Sequence, residues 1–168
     1  MEFFDRLDHP KLAEVLLEDT YNVDEIGSMI GLGDNPLVIG PAAVRKIYTM
    51  DPGNREWVTI LECVSADSRV LPPLVIFKGA EVQQQWFVNQ VNDEDFVDWH
   101  FCTSKSGWTN NSIALRWLKE VFLPETRPRH GGWRHLILDG HGSHVDEAFM
   151  LTCLEAKVWL DFLPAYTS

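Results

Sequence analysis

The segment HLILDGHGSH carries one acid, Asp139, at the end of an aliphatic run that reads as a buried strand. A carboxylate at a strand end is costly to bury unless a cation or hydrogen-bond donors accompany it. The two glycines that follow leave room beside the acid for a bulky polyanion. In the same loop, His141 and His144 could orient Asp139 or contact a phosphate, and hydrogen bonding within the loop is an equal alternative. An H-x-x-H pair without further close ligands is poor evidence for zinc.

A second acid, Asp24, lies near the tip of another predicted strand, TYNVDEIGSMIG, which we expect to break at Gly27. Residues 24 and 139 are 115 positions apart, but a mixed sheet can place the first strand beside the fourth. Two carboxylates at neighbouring strand ends repel each other, so that one stays protonated or both share a cation. Mg²⁺ or Mn²⁺ prefers such oxygen ligands, and a pair of these ions can promote phosphodiester cleavage.

Several of these residues also have a plain structural interpretation. Asp24 could cap the turn that follows it, and its neighbour Glu25 points to the opposite strand face, where a salt bridge is expected. Ser143 lacks the flanking glycines of a hydrolase nucleophile turn. It reads instead as the N-cap of a helix, with Asp146 three residues further on.

The elements around these acids predict an α/β domain with a mixed sheet. The segments EWVTILECVS and LPPLVIFKG read as a hairpin. TNNSIALRWLKEVFLPE reads as a helix for which Thr109 to Asn111 offer capping oxygens and Pro124 marks the end. WRHLILDG and VWLDFLPAYTS read as strands on either side of the helix SHVDEAFMLTCLEAK. A further helix is expected from about Lys11, and one short strand in the acidic, aromatic segment that precedes Trp108. We read Trp108 itself mainly as a packing residue, with base stacking as the lesser alternative.

Composition restricts the class of protein. The 168 residues are 45% hydrophobic, which suffices for one domain with its own core. No stretch approaches the ~20 apolar residues of a membrane span, and the N-terminus lacks the layout of a signal peptide. Three widely spaced cysteines indicate a reducing compartment. The net charge of −11 disfavours DNA binding unless metal ions offset the carboxylates.

Four ordered blocks resemble the DDE-type transposase domain, in its pogo-like branch with centromere-protein-B-like and fungal transposon proteins. The blocks are YNVDEIGSMIG, NREWVTILECVSADSRVLPPLVIFKG, SKSGWTNNSIALRWLKEVF and HLILDGHGSH. By this resemblance residues 20–168 form a DDE superfamily endonuclease domain, and residues 1–19 form a helical lead-in. The implied fold is RNase H-like, with a mixed five-stranded sheet flanked by helices and truncated before the final helix.

The resemblance also implies a reaction and a set of partners. In this family three acids hold two magnesium ions for DNA strand cleavage and transfer, and Asp24 and Asp139 match the first and second acids. The third acid follows an LP-x-x-[ST] segment in the family, and here LPAYTS ends at Ser168, so that its position is missing. A domain that grips transposon ends is missing as well. DNA is the expected partner, the nucleus the expected location and a membrane is not expected, while a homodimer is left open.

Two further interpretations remain beside the metal-dependent nuclease. The chain could be a catalytically dead transposon remnant, or a domesticated module that binds DNA or protein while keeping the fold. An unrelated metal-dependent phosphoesterase of similar layout would require that the block resemblance is coincidental. Binding of divalent metal by Asp24 and Asp139 distinguishes the first interpretation from the second.

Overall fold

The computed structural model describes residue 10 and residues 12–30, 56–81, 98–139 and 146–163. Within these residues six strands form one sheet, in the order β4-β3-β2-β1-β5-β6. The strands are β1 (Thr20–Ile30), β2 (Glu56–Ser65), β3 (Leu74–Lys78), β4 (His100–Ser104), β5 (Arg134–Leu138) and β6 (Val158–Phe162). β1, β2 and β3 are antiparallel neighbours, whereas β4 runs parallel to β3, β5 to β1, and β6 to β5.

The helices of the described residues connect these strands. One 3-10 turn precedes β1, one long helical segment joins β4 to β5, and one helix joins β5 to β6. They are the 3-10 turn Leu17–Asp19, α1 (Asn111–Trp117), a π-helical segment (Leu118–Phe122), α2 (Leu123–Glu125) and α3 (Glu147–Glu155). The parallel pair of β5 and β6 is therefore reached through a helical crossover, and the helical segment before β5 lies in the connection between β1 and β5.

Side-chain caps determine where α1 and α3 begin. Asn110 Oδ1 accepts a hydrogen bond from the backbone N–H of Ile113 at 3.0 Å, which confirms a cap in the predicted segment. Asp146 Oδ1 accepts one from the backbone N–H of Ala148 at 2.6 Å. The predicted N-cap at Ser143 is therefore wrong, because α3 begins three residues later and Asp146 itself is its cap.

The core lies between the sheet and the helices. Alternation along β1 directs Tyr21 and Val23 toward the helices, where they are 1% and 3% exposed. The Tyr21 ring packs edge-on against Phe122 with centroids 5.2 Å apart, and Phe122 packs against Trp117 at 5.4 Å. The same alternation directs Asp24 to the opposite face of the sheet, where its side chain is exposed.

The hairpin, the helix before β5 and the two C-terminal strands are confirmed, and the sheet differs from prediction at two places. It has six strands rather than five because β4, the single short strand expected before Trp108, pairs with β3 and joins the edge. The predicted break at Gly27 is wrong, since β1 continues to Ile30 and Gly27 pairs with Thr59.

The helix predicted from about Lys11 is also reduced. Residues 12–14 form turns and only Leu17–Asp19 is helical, as a single 3-10 turn. The physical reason is that the predicted apolar stripe is not buried, since Leu16 is 48% exposed. Most helices of globular proteins depend on such burial rather than on local propensity.

Arg134, at the start of β5, joins the ends of two helices to the sheet. Its side chain is 5% exposed, and it donates from Nη1 to Thr126 Oγ1 at 2.9 Å and from Nη2 to the Ala156 carbonyl at 2.8 Å. Nη1 also reaches the Leu123 carbonyl at 3.3 Å. Because Thr126 follows α2 and Ala156 follows α3, one buried cation satisfies carbonyl groups at the C-terminal ends of both helices.

A buried histidine–aspartate pair lies between β5 and β6 on the face opposite the helices. His135 and Asp161 are 4% and 1% exposed, and His135 Nε2 lies 3.6 Å from Asp161 Oδ2. Burial lowers the pKa of His135 below its ordinary value, and the Asp161 carboxylate only partly opposes this effect. The imidazole therefore resists protonation while the chain is folded.

We expect Arg134→Met to lower the free energy of unfolding by about 2–4 kcal/mol, because buried carbonyl groups lose a charged donor. Urea unfolding followed by tryptophan fluorescence measures this loss. Arg116→Met is the matched control, since Arg116 is exposed and pairs with Glu120 across one helical turn at 2.7 Å. Such a surface pair contributes less than about 1 kcal/mol. Equal losses in the two variants would contradict the role assigned to Arg134.

We expect acid sensitivity from His135. Its folded-state pKa lies below the unfolded value of about 6.5, so that the unfolded chain takes up a proton first as the pH falls. This contribution to stability is complete above about pH 6.5 and is lost as the pH falls below that value. We compare the urea midpoint of unfolding at about pH 7.5 with that at about pH 5.5. The difference between the two midpoints should be smaller in His135→Gln than in the wild type. His130→Gln, at an exposed site, should keep the wild-type difference, and an unchanged difference in His135→Gln would refute the assignment.

Candidate functional site

Parallel pairing of β1 with β5 brings the two predicted acids to adjacent positions. The ladder ends with Val23 opposite Leu138, and Asp24 and Asp139 are the next residues of the two segments. Neighbouring strands of a sheet are about 4.8 Å apart, so the two backbones are close at this point. Both Val23 and Leu138 are buried on the helix face, which places the acids at the boundary of the core.

The two acids are held differently. Asp24 lies inside β1, which continues to Ile30 with β2 beside it, and its Oδ1 accepts a hydrogen bond from the backbone N–H of Glu25 at 2.8 Å. Asp139 is the first residue after β5 and is half-buried. One carboxylate is therefore fixed and solvent-facing, while the other lies directly after the end of β5.

Glu25 lies on the face opposite Asp24, as the alternation of β1 predicts. It pairs with the buried Leu61 and is half-buried itself. His141 and His144 lie outside the described residues, so that their expected contacts with Asp139 or with phosphate stay predictions.

Sequence reasoning missed Glu62, which lies opposite Asp24 in the register of β1 and β2. Both side chains are exposed on the same face, and directly opposite residues have Cβ atoms about 5 Å apart. Like charges in such a pair destabilise a sheet, and a bound cation would relieve that repulsion. The alternation in EWVTILECVS, with Leu61 and Cys63 facing inward, indicates that Glu62 faces outward, but it does not identify Asp24 as its partner.

The pair His135 and Asp161 was also missed, although it lies on the same sheet face as Asp24. In β5 the spacing His135, Ile137, Asp139 is that of one strand face, and Ile137 pairs with Asp161 of β6. His135, the first residue of HLILDGHGSH, is therefore a buried neighbour of the site.

The carboxylates suit a hard divalent cation better than a soft one. Within the described ranges, no three His, Cys, Asp or Glu side chains are arranged to hold a metal ion. Asp24 and Asp139 supply oxygen ligands, which Mg²⁺ and Mn²⁺ prefer. Magnesium commonly takes one or two carboxylates and completes its shell with water and substrate phosphates, so the two acids fit such an ion.

The three cysteines of the chain do not contribute to this site. Cys63, Cys102 and Cys153 are free thiols and all are buried, as expected for packing residues. Burial raises the pKa of Cys63 and that of Cys153 to about 12, which makes both thiols poor nucleophiles and poor metal ligands.

Two solved structures have a similar fold, the Mos1 transposase paired-end complex with left transposon end and a pre-cleavage Mos1 transpososome. Their TM-scores are 0.55 and 0.54, with sequence identities of 10% and 12%. The match covers 97% of this chain in both cases, and 39% and 40% of the Mos1 chains. At such identities the likeness concerns the fold alone, and it confirms the predicted α/β, RNase H-like class.

A relative by sequence is the MFS-type transporter clz9 of Cochliobolus lunatus. The two are 32% identical over 163 residues, which is 95% of this chain and 17% of that protein. The chain thus spans a small part of the relative's length. Among the residues that the structure describes, no helix has the length and apolar character needed to cross a bilayer.

A family model described as DDE superfamily endonuclease matches residues 54–168, which is more than half of the chain. Asp139 lies inside the matched region, and Asp24 precedes it. Three of the four sequence blocks lie inside the matched region, so the predicted DDE-type transposase or endonuclease domain is confirmed. The chain belongs to the DDE superfamily endonuclease family.

Proposed function

We propose that this domain cleaves DNA phosphodiester bonds with the help of divalent metal ions held by Asp24 and Asp139. The observation that carries the proposal is the register of β1 and β5, which makes these two acids neighbours across the sheet. Membership of the endonuclease family supports the reaction class. The similar Mos1 structures, which are named as complexes with a transposon end or as a transpososome, support DNA as the partner.

Mg²⁺ or Mn²⁺ at this position would supply Lewis-acid activation of water and stabilisation of the leaving oxygen. The chain contributes the placement of the ligands. β1 pairs with β5 up to Val23 and with β2 along its whole length, so that Asp24 stands on a strand of the sheet rather than on a loop. Ligands on such an element stay closer to a productive geometry than ligands on loops.

The electrostatics of this face make DNA contact dependent on the metal. Asp24, Asp139 and Glu62 place three carboxylates in adjacent segments, in a chain whose net charge is −11. A bare phosphodiester is repelled by that charge, and binding to nucleic acid requires cations that neutralise it. The same carboxylates that repel DNA would therefore attract the ions that allow it to approach.

Finer assignments rest on the same proposal. The pogo-like branch, the nucleus as location and recognition of transposon ends through a separate DNA-binding domain are in keeping with a transposase-derived enzyme. Further metal ligands, or contacts from His141 and His144, would complete the site. A protein that retains this fold without binding metal would instead be a remnant or a domesticated binding module.

We expect the wild-type chain to bind Mn²⁺ saturably, and Asp24→Asn and Asp139→Asn each to weaken that binding about tenfold or more, because each removes an anionic ligand. Electron paramagnetic resonance of free Mn²⁺ during titration measures the bound fraction. Asp98→Asn is the control, since this exposed acid lies next to β4 at the far edge of the sheet. If the wild type shows no saturable binding, the metal-free binding module is favoured over the nuclease.

A further inference from the structure

A groove on the helix side of the sheet is lined by residues that suit a nucleotide chain. Its volume is about 1020 Å³, and it lies where β2, β3 and β4 meet the loop before α1. Trp57 of β2, Lys78 at the end of β3, and Lys105, Ser106 and Asn110 of the loop line it. This groove is on the opposite face from Asp24, so it is separate from the metal site.

Hydrogen bonds attach the loop that forms one wall of the groove to the sheet. The hydroxyl of Thr59, which is 1% exposed, donates to the Gly107 carbonyl at 2.7 Å, and the Ser104 hydroxyl donates to the Trp108 carbonyl at 2.8 Å. Gly107 has φ +82°, and a Cβ there would lie 3.2 Å from the Cβ of Lys78. A side chain at position 107 would therefore crowd β3 in a backbone conformation that favours glycine, and the two hydrogen bonds hold the loop against the sheet.

Two large aromatic side chains remain half-exposed at this place. Trp57 is 48% exposed and Trp108 is 47% exposed. Both rings lie against Gly27, where a Cβ would be 3.3 Å from Trp108 Cη2 and 3.7 Å from Trp57 Cζ3. Neighbouring exposed aromatic rings form an apolar patch of the kind that marks binding surfaces. Gly27, read from the sequence as a strand break, instead lets the two indoles approach the strand.

The charge of the groove has the opposite sign to that of the chain. Both charged residues that line it are lysines, Lys78 and Lys105, and both are exposed, whereas the net charge is −11. Two cations beside an aromatic ring suit single-stranded nucleic acid, because the cations can contact backbone phosphates while an unpaired base stacks on the ring. Only an unpaired base offers its π-face for stacking, because the faces of paired bases are covered within a duplex.

We propose that this groove binds a short stretch of single-stranded DNA, with one base stacked on Trp57 and the adjoining phosphates paired with Lys78 and Lys105. The proposal rests on DNA being the substrate, as proposed above. It adds a DNA contact that does not require a metal ion. Gly27 lies three residues beyond Asp24 in β1, which is about 10 Å along the strand. A strand released at the acids could therefore pass over the end of the sheet into the groove.

Fluorescence anisotropy of a labelled oligothymidylate of about twelve nucleotides tests the groove, with EDTA present so that no metal contributes. The wild type should bind, and the double variant Lys78→Gln, Lys105→Gln should bind about tenfold more weakly. Its salt dependence should also fall by about 1.4 in log–log slope, since each phosphate contact on a single strand contributes about 0.7. Both lysines are exposed, so their replacement leaves the fold intact, which circular dichroism verifies.

Trp57→Ala should weaken binding by about fivefold or more with little change in salt slope, because stacking is not an ionic contact. The control is Lys119→Gln with Arg129→Gln, which removes the same charge from exposed positions outside the groove. Absence of binding by the wild type, or an equal loss in this control, would overturn the proposal. Equally tight binding of a duplex or of a polyglutamate peptide would overturn it as well.

The two proposals fail independently. Because EDTA removes metal, a negative result with the oligothymidylate leaves the Mn²⁺ titration of Asp24 and Asp139 unaffected. Conversely, oligothymidylate binding by a chain that takes up no Mn²⁺ would retain the groove and reject the metal site.

Discussion

The parallel pairing of β1 with β5 is the constraint on which the site depends. It joins residues more than a hundred positions apart, and the ladder of four residue pairs ends immediately before both acids. A parallel pair needs a crossover, here made by β2–β4 and the helical segment that ends at α2. The core of Tyr21, Phe122 and Trp117 holds that segment on the sheet, and Arg134, the first residue of β5, donates a hydrogen bond to Thr126 at its end. Packing of the helices on the sheet thus supports the strand pairing that makes the two acids neighbours.

The sequence predicted the features that depend on local patterns, and it failed where tertiary contacts decide. Strand β5 follows from its aliphatic run, and the start of α1 from the polar residues near Asn110. Gly27 was misread because a glycine in a strand can mark either a break or a close approach, and only the position of Trp108 distinguishes these. Glu62 was missed because a residue's partner across a sheet depends on the register, which no local pattern contains.

The two sites proposed above lie on opposite faces of the sheet, and their chemical tasks would conflict on a single surface. The carboxylates of Asp24, Glu62 and Asp139 occupy one face at the end of the β1–β5 ladder. The lysines and exposed indoles lie on the other face, where Glu25 is half-buried. Anionic groups that attract metal ions would cancel the attraction of nearby lysines for phosphate if both shared one face, since charges within about 10 Å interact strongly. The thickness of the sheet keeps them apart, and a chain of acidic composition can still contain one local cationic groove.

Alternate residues of β1 lie on opposite faces of the sheet, since Tyr21 and Val23 are buried in the core while Asp24 is exposed. Inserting or deleting a single codon between them would exchange the two sets, burying the acid and exposing the core residues. Inserting or deleting two codons would return each residue to its face, but it would shift Asp24 by two residues relative to the neighbouring strands. Length variation in related genes is therefore expected between the strands, and the short stretch from Tyr21 to Asp24 should tolerate amino-acid substitution far better than any change in length.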